Sequence, residues 1–238
     1  VLGRFLEWSI PTPDIGASLE FYGRLGFTAA TVGEAWSHPY AVVTDGRICL
    51  GLHQQAEFAP SLTFVKPDLL AHLNRFERMG IQFEFRRLGN DVFNEIGWLD
   101  PSGHLIRLVE ARTFSPSTRK PLDTTLCGYF LELALPAPSR DAAKEFWESV
   151  GFVGIDDSQA LLPHVACTSD SIDLGLYGIE DLREPTLVFE IDDLAGRVAG
   201  LTAEGIASRG RVPAPLQGSA ALLHAPEGTR ILLTSTNE

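Results

Sequence analysis

Two glutamates open the question of chemistry in this chain. Glu7 lies in FLEWSI (5–10) and Glu132 in FLELAL (130–135), and the two strings differ at only three positions. Leu6, Trp8 and Ile10 alternate with Phe5, Glu7 and Ser9, a strand pattern that places the carboxylate opposite the apolar residues. A carboxylate facing a protein interior needs a partner. It can serve as a general base with a raised pKa or grip a cationic or hydroxylated ligand. It can also be a structural group neutralised by a cation such as Arg107. Arg107 has two readings of its own: a fork for a ligand carboxylate or phosphate, or a counter-ion for Glu7. His38 and His53 fall on strands near Trp36 and Tyr40, with Phe93 and Trp98 further along. Aromatic side chains with a few convergent polar groups line small-molecule pockets, and they also build ordinary cores. Glu7, Trp36, His38, Tyr40, His53, Phe93, Trp98 and Arg107 are therefore the candidate ligand-binding set, and Glu7 and Glu132 the candidate catalytic groups.

The elements that must position these residues follow from periodicity and breakers. Pro11 and Pro13 end the first strand, Asp14 can cap a helix carrying Phe21 and Leu25, and Gly26 stops it. Strand-like stretches follow near 28–32, 38–44 and 47–53. A second strand at 61–66 leads to a helix with Leu69, Leu73 and Phe76 at i, i+4 and i+7, ending at Gly80. Strands near 82–87, 91–98 and 104–110 complete a second βαβββ unit. By alternation, Cys49, Gly51 and His53, then Ser61, Thr63 and Val65, then Leu105, Arg107 and Val109 share the face of Glu7.

The whole pattern then repeats. FLEWSIPTPD (5–14) returns as FLELALPAPS (130–139), EFYGRLGF (20–27) as EFWESVGF (145–152), LTFVKPDL (62–69) as LVFEIDDL (187–194) and DPSGHLIRL (100–108) as APEGTRILL (225–233). All four pairs are offset by 125 residues, while GRICLGLH (46–53) and DSIDLGLY (170–177) match with a one-residue slip. An offset that returns to register along the chain indicates tandem duplication. The Ser-, Thr- and Pro-rich segment 112–126 reads as a linker, giving a first domain at 1–111 and a second at 127–238. In the second copy the inward set is Glu132 and Ala134, then Asp173, Gly175 and Tyr177, then Thr186, Val188 and Glu190, then Arg230, Leu232 and Thr234. Places matched to the aromatic residues of the first copy hold Leu161, Val165, Gly218 and Leu223, so any pocket is expected to be better furnished in the first copy.

The strand–Pro–Asp–helix opening, the helix ends FYGRLGF and FWESVGF, and the DPSG turn together resemble the vicinal oxygen chelate superfamily of glyoxalases, bleomycin-resistance proteins and extradiol dioxygenases. The resemblance implies an α+β fold of four βαβββ units in two tandem glyoxalase-like domains, with curved mixed sheets, helices outside and a cavity against each sheet. Metal-dependent members place His, Glu or Gln at four inward positions. Those positions here are Glu7, Cys49, Ser61 and Arg107 in one copy, and Glu132, Asp173, Thr186 and Leu232 in the other. Units can pair within or between copies in this superfamily. Neither arrangement gathers three strong ligands, so no cofactor is expected; a divalent ion, if held, would fall to Glu132 and Asp173.

Composition narrows the function classes. A net charge of −12 argues against nucleic acid, and no apolar run is long enough for a membrane span. Cys49, Cys127 and Cys167 are scattered without a CxxC pair, and the first residues lack a secretory pattern, which together suggest a cytoplasmic protein, monomer or homodimer. Dinucleotide, phosphate-loop, serine-hydrolase and zinc-protease motifs are missing. The expected function is binding or sequestering an organic ligand in a sheet-lined cavity with a degenerate metal site. The alternative is a lyase, isomerase or dioxygenase using an atypical metal site or a carboxylate base.

Overall fold

The computed structural model describes residues 2–30, 36–89, 94–111 and 125–235. The first copy forms β1 (Arg4–Pro11), α1 (Ile15–Arg24), β2 (Thr28–Ala30), β3 (Tyr40–Thr44), β4 (Cys49–His53), β5 (Ser61–Lys66), α2 (Leu69–Arg78), β6 (Phe83–Arg87), β7 (Glu95–Leu99) and β8 (Leu105–Glu110). The second forms β9 (Tyr129–Pro136), α3 (Arg140–Ser149), β10 (Val153–Asp157), β11 (His164–Thr168), β12 (Asp173–Tyr177), β13 (Thr186–Ile191), α4 (Leu194–Ala203), β14 (Ala220–His224) and β15 (Arg230–Ser235). Each copy builds one mixed sheet, ordered β2-β3-β4-β1-β5-β8-β7-β6 and β10-β11-β12-β9-β13-β15-β14. The two units of a copy thus pair with each other, through β1 against β5 and β9 against β13. This is the expected α+β architecture. The last unit has one strand fewer: residues 206–213 run without strand pairing into a 3-10 turn, Ala214–Leu216. Pro213 and Pro215 offer no N–H to a ladder there, and the Arg209 N–H and the Ser208 hydroxyl both reach the Leu222 carbonyl, at 2.9 and 3.2 Å.

The sequence punctuation is realised where it was read. The Asp14 side chain accepts from the Ala17 N–H and caps α1, and Ser139 does the same for α3 through Ala142. The buried stripe of α1 is Ser18, Tyr22 and Leu25, with Phe21 only partly covered, so the helix is rotated by one position from the expected Phe21–Leu25 face. Tyr22 wins that place because its ring meets Phe27 while its hydroxyl donates to Glu227 of the second copy at 2.7 Å.

The helix faces of both sheets share one core. Trp8, Leu50, Leu62 and Phe64 belong to the same cluster as Leu133, Leu174, Phe189 and Leu233. Phe27 meets Phe189 edge-on across the copies, and the Arg47 guanidinium lies 3.8 Å over the Tyr129 ring. Strand alternation assigns the faces as expected with one local exception. A bulge between Phe5 and Glu7 turns Phe5, rather than Leu6, to the helix side, where it packs edge-on against Phe64. The matching irregularity in the second copy brings Phe130 against Phe189 and leaves Leu131 on the opposite face. The strand re-aims at this point in both copies, and Glu7 and Glu132 keep their inward direction. No helix among the described residues is long and apolar enough to cross a membrane.

Candidate functional site

Glu7 and Glu132 occupy matched places at the centre of the inner faces, away from the helices. Each carboxylate lies over a glycine of the neighbouring parallel strand. A methyl group on Gly51 would come within 2.1 Å of Glu7 Oε1, and one on Gly175 within 2.2 Å of Glu132 Oε1. The glycine creates the space that each carboxylate fills. A tyrosine and a histidine then close on each carboxylate from a pair of cross-strand partners, Tyr40 with His53 and His164 with Tyr177. The residue types exchange strands between copies: the first has Tyr on β3 and His on β4, and the second has His on β11 and Tyr on β12. The two rings of each pair are in contact, tilted by 38° with centroids 4.6 Å apart in the first and stacked at 11° with centroids 4.5 Å apart in the second.

In the first sheet the carboxylate is saturated. Glu7 accepts from Tyr40 Oη, from Ser9 Oγ at 2.7 Å and from His53 Nε2 at 3.0 Å. With His53 Nε2–H donating to the carboxylate, its Nδ1 accepts from His38 Nε2 at 2.8 Å, so a chain runs Glu7–His53–His38. The floor beside it is polar: Ser9 bonds Thr63 at 2.7 Å. Phe58 stacks flat on His53 at 3.9 Å and Trp36 meets the same ring edge-on at 4.9 Å. Glu7 and His53 are buried beneath these rings. The hollow outside them, about 820 Å³, touches Trp36, His38, Phe58 and Arg107 but neither Glu7 nor His53.

Six of the eight residues expected to line a pocket therefore do gather in one place, as a packed cluster over Glu7. Trp98 does not join them. It is buried on the helix side against Phe76 and Phe83, the face that its alternation with Ile96 dictates. Phe93 lies outside the described residues. Arg107 is held by Glu95, not by Glu7: its Nη1 donates to Glu95 Oε2 at 3.0 Å, while Arg87 takes the other oxygen at 2.5 Å. Glu95 was missed, although the same alternation along β7 puts Glu95 and Gly97 inward opposite Ile96 and Trp98.

The second sheet replaces the polar floor with an apolar one. At the places of Ser9, Thr63 and Arg107 stand Ala134, Val188 and Leu232, which join Leu162, Leu182, Leu216 and Leu222 in a separate buried cluster. Glu132 keeps one close donor, Tyr177 Oη at 2.6 Å on Oε1, while His164 Nε2 stands 3.8 Å from Oε2. Burial with so few donors pushes the Glu132 carboxyl above the usual carboxylate range, against the opposing pull of His164 and Tyr177. Burial and the adjacent Glu132 push the Tyr177 phenol up as well, so it stays a donor at neutral pH. Above this base opens a cavity of about 380 Å³ lined by Leu131, Leu161, Val188 and Leu232, with Glu132, His164, Asp173 and Glu190 as polar groups. The pocket with a buried carboxylate in its wall thus belongs to the second copy, while the larger hollow, lined by aromatic rings, belongs to the first. Large rings in the first copy fill the space that smaller residues leave open in the second.

His164 was missed by sequence reading for a simple reason. The one-residue slip falls before β3, since β2 and β10 start 125 residues apart but β3 and β11 start 124 apart. At that offset Tyr40 matches His164, not Val165.

Neither sheet offers a donor set suited to a transition metal. Arg107 brings a fixed cation to one set, whose Glu7 is already bonded three times. Leu232 stands in the other, where the Thr186 hydroxyl donates to the Glu184 carbonyl at 2.9 Å. Glu132 and Asp173 do share the cavity wall, but among the described residues no three His, Cys, Asp or Glu side chains converge as metal ligands.

This geometry defines a class. The chain shares the fold of extradiol dioxygenases, whose solved structures superpose on nearly all of it. Homoprotocatechuate 2,3-dioxygenase from Brevibacterium fuscum (an E323L mutant) is similar at a TM-score of 0.64 and 14% identity, over 99% of this chain and 72% of that one. A catechol 2,3-dioxygenase gives 0.63 and 12% over 100% and 89%. A halotolerant catechol dioxygenase gives 0.57 and 13% over 99% and 87%. No family model matches the sequence and no curated protein matches it. At these identities the likeness is one of fold.

Proposed function

We propose that this protein binds a small organic molecule in the cavity of its second sheet. The observation that carries the reading is that cavity itself: about 380 Å³, mostly apolar in its wall, with the Glu132 carboxylate, the Tyr177 hydroxyl and the His164 imidazole converging at its base. A few placed polar groups in an apolar concavity are what orient small ligands.

A catalytic reading draws support from one feature, the raised carboxyl of Glu132, which suits a carboxylate base far better than the donor inventory suits a metal. The dioxygenase activity of the similar structures is not carried over on fold alone.

The test is a thermal-shift screen of small organic compounds against the protein and an Ala166→Trp variant. Ala166 pairs with Gly175 directly over Glu132 and lines the cavity, so the larger ring fills it. Compounds that stabilise the parent and not the variant are expected. Hits that stabilise both equally would place binding elsewhere and end this reading.

A further inference from the structure

We infer that the second-sheet cavity selects molecules that carry an ammonium group on an apolar body, with the nitrogen bridging Glu132 Oε2 and His164 Nε2. This rests on the reading of that cavity as a ligand site and adds the chemical class.

The first observation is a pair of acceptors held at a non-bonding distance. His164 Nδ1 lies 3.0 Å from the Leu162 carbonyl oxygen. A carbonyl only accepts, so Nδ1 carries a proton, and in the neutral ring the lone pair of Nε2 then faces Glu132. The ring is fixed in that direction by its stack on Tyr177, with planes 11° apart. Glu132 is fixed as well: Tyr177 Oη holds Oε1, and the carboxylate lies against Gly175, where an added Cβ would come within 2.2 Å of it. With Glu132 ionised, two acceptors then face each other across 3.8 Å. That span is too long for a direct hydrogen bond, yet an atom bearing two N–H donors can sit within about 2.9 Å of both. A primary or secondary ammonium has that geometry; a carboxylate or ether oxygen has no donor for either.

The second observation is the charge of the wall. Glu132, Asp157, Asp173 and Glu190 line the cavity, and among the described lining residues His164 is the one basic side chain, with no Lys or Arg. Arg140 donates to the Pro163 carbonyl at 2.7 Å and Arg230 faces Glu184 at 3.9 Å, both outside the lining. A cation brought into this wall supplies the charge that the first sheet draws from Arg107 and Arg87. The rest of the wall, Leu131, Leu161, Val188, Leu216 and Leu232, takes an apolar body.

The comparison with the first sheet sharpens the point. There the equivalent carboxylate has three donors and the imidazole touches it at 3.0 Å, so no bridging donor is called for. The second copy keeps carboxylate, phenol and imidazole but opens the gap.

The experiment titrates the full chain with three probes of one shape: 2-phenylethylamine, 2-phenylethanol and phenylacetate. The amine is expected to bind at least about tenfold tighter than the alcohol, with phenylacetate weakest, since a charge-assisted bond is about twice as strong as a neutral one. Glu132→Gln should erase the preference for the amine, bringing its affinity down to that of the alcohol. His164→Phe, which retains a ring to stack on Tyr177, should weaken the amine alone. Should either variant fail to fold, the order of the three probes on the unaltered protein still decides. Equal binding of amine and alcohol, or tightest binding of phenylacetate, overturns the ammonium assignment and leaves the cavity reading standing. Binding by none of the three at millimolar concentration overturns the assignment too, and the compound screen with Ala166→Trp then decides the cavity reading separately.

Discussion

Glu7 and Glu132 hold the same place in their sheets and differ in what surrounds them. Three donors saturate Glu7, whereas Glu132 has a single close one over an apolar floor. Its folded-state pKa is raised above the ordinary 4.5, so the folded chain holds that proton more tightly than the unfolded chain does. The stability it contributes is full below about pH 4.5 and is lost as pH rises through the raised value. Glu132→Gln should therefore gain stability relative to the parent as pH increases, measured as the difference in Tm between about pH 4 and about pH 8. A difference that stays flat over that window would show that burial does not raise the carboxyl. At this scale the sequence was informative about direction and silent about partners. Alternation along β1, β4 and β8 placed Glu7, His53 and Arg107 inward. It did not say that Arg107 would pair with Glu95, because that pairing depends on the register of β7 against β8.

Element by element, the helices and strands lie where caps, glycines and periodicity put them. The exceptions have physical causes that a single strand's pattern does not contain. The bulge at Leu6 and Leu131 arises between paired strands, and the lost strand at 206–213 reflects proline chemistry beside it. Gly51 and Gly175 show how an element serves a site, since each removes a side chain so that a carboxylate can lie against backbone. Gly51→Ala places a methyl group 2.1 Å from Glu7 Oε1 and should cost about 1–3 kcal/mol, read as a shift in denaturant midpoint. Gly23 provides the contrast: it is exposed within α1 with nothing within 4 Å of an added methyl, and Gly23→Ala should stabilise by about 0.5–1 kcal/mol. Equal effects at the two positions would mean that the close approach at Gly51 is not what fixes the residue there.

Across the whole molecule, duplication has produced two sheets with one shared core and two different inner faces. The interface repeats itself across the duplication: α1 sends Tyr22 to Glu227 in the last turn of the second copy, and His104 in the matching turn of the first bonds the Pro136 carbonyl at 2.8 Å. The two inner faces have diverged. One has closed over its carboxylate with Trp36, His38, Tyr40 and Phe58; the other stays open over Glu132. The repeat itself was legible in the sequence because four strings return at one offset. Which copy stayed open was not, because cavity volume is set by side chains that meet across strands, and a one-residue slip had hidden His164 from its counterpart Tyr40. The central claim is that the open copy is the ligand site, and electron density in a crystal of the protein soaked with 2-phenylethylamine tests it most directly. The account predicts density in the second-sheet cavity with a polar atom between Glu132 Oε2 and His164 Nε2, and none beneath Trp36 and Phe58. Density confined to the first-sheet hollow, or a transition-metal peak on Glu132 and Asp173, would contradict it.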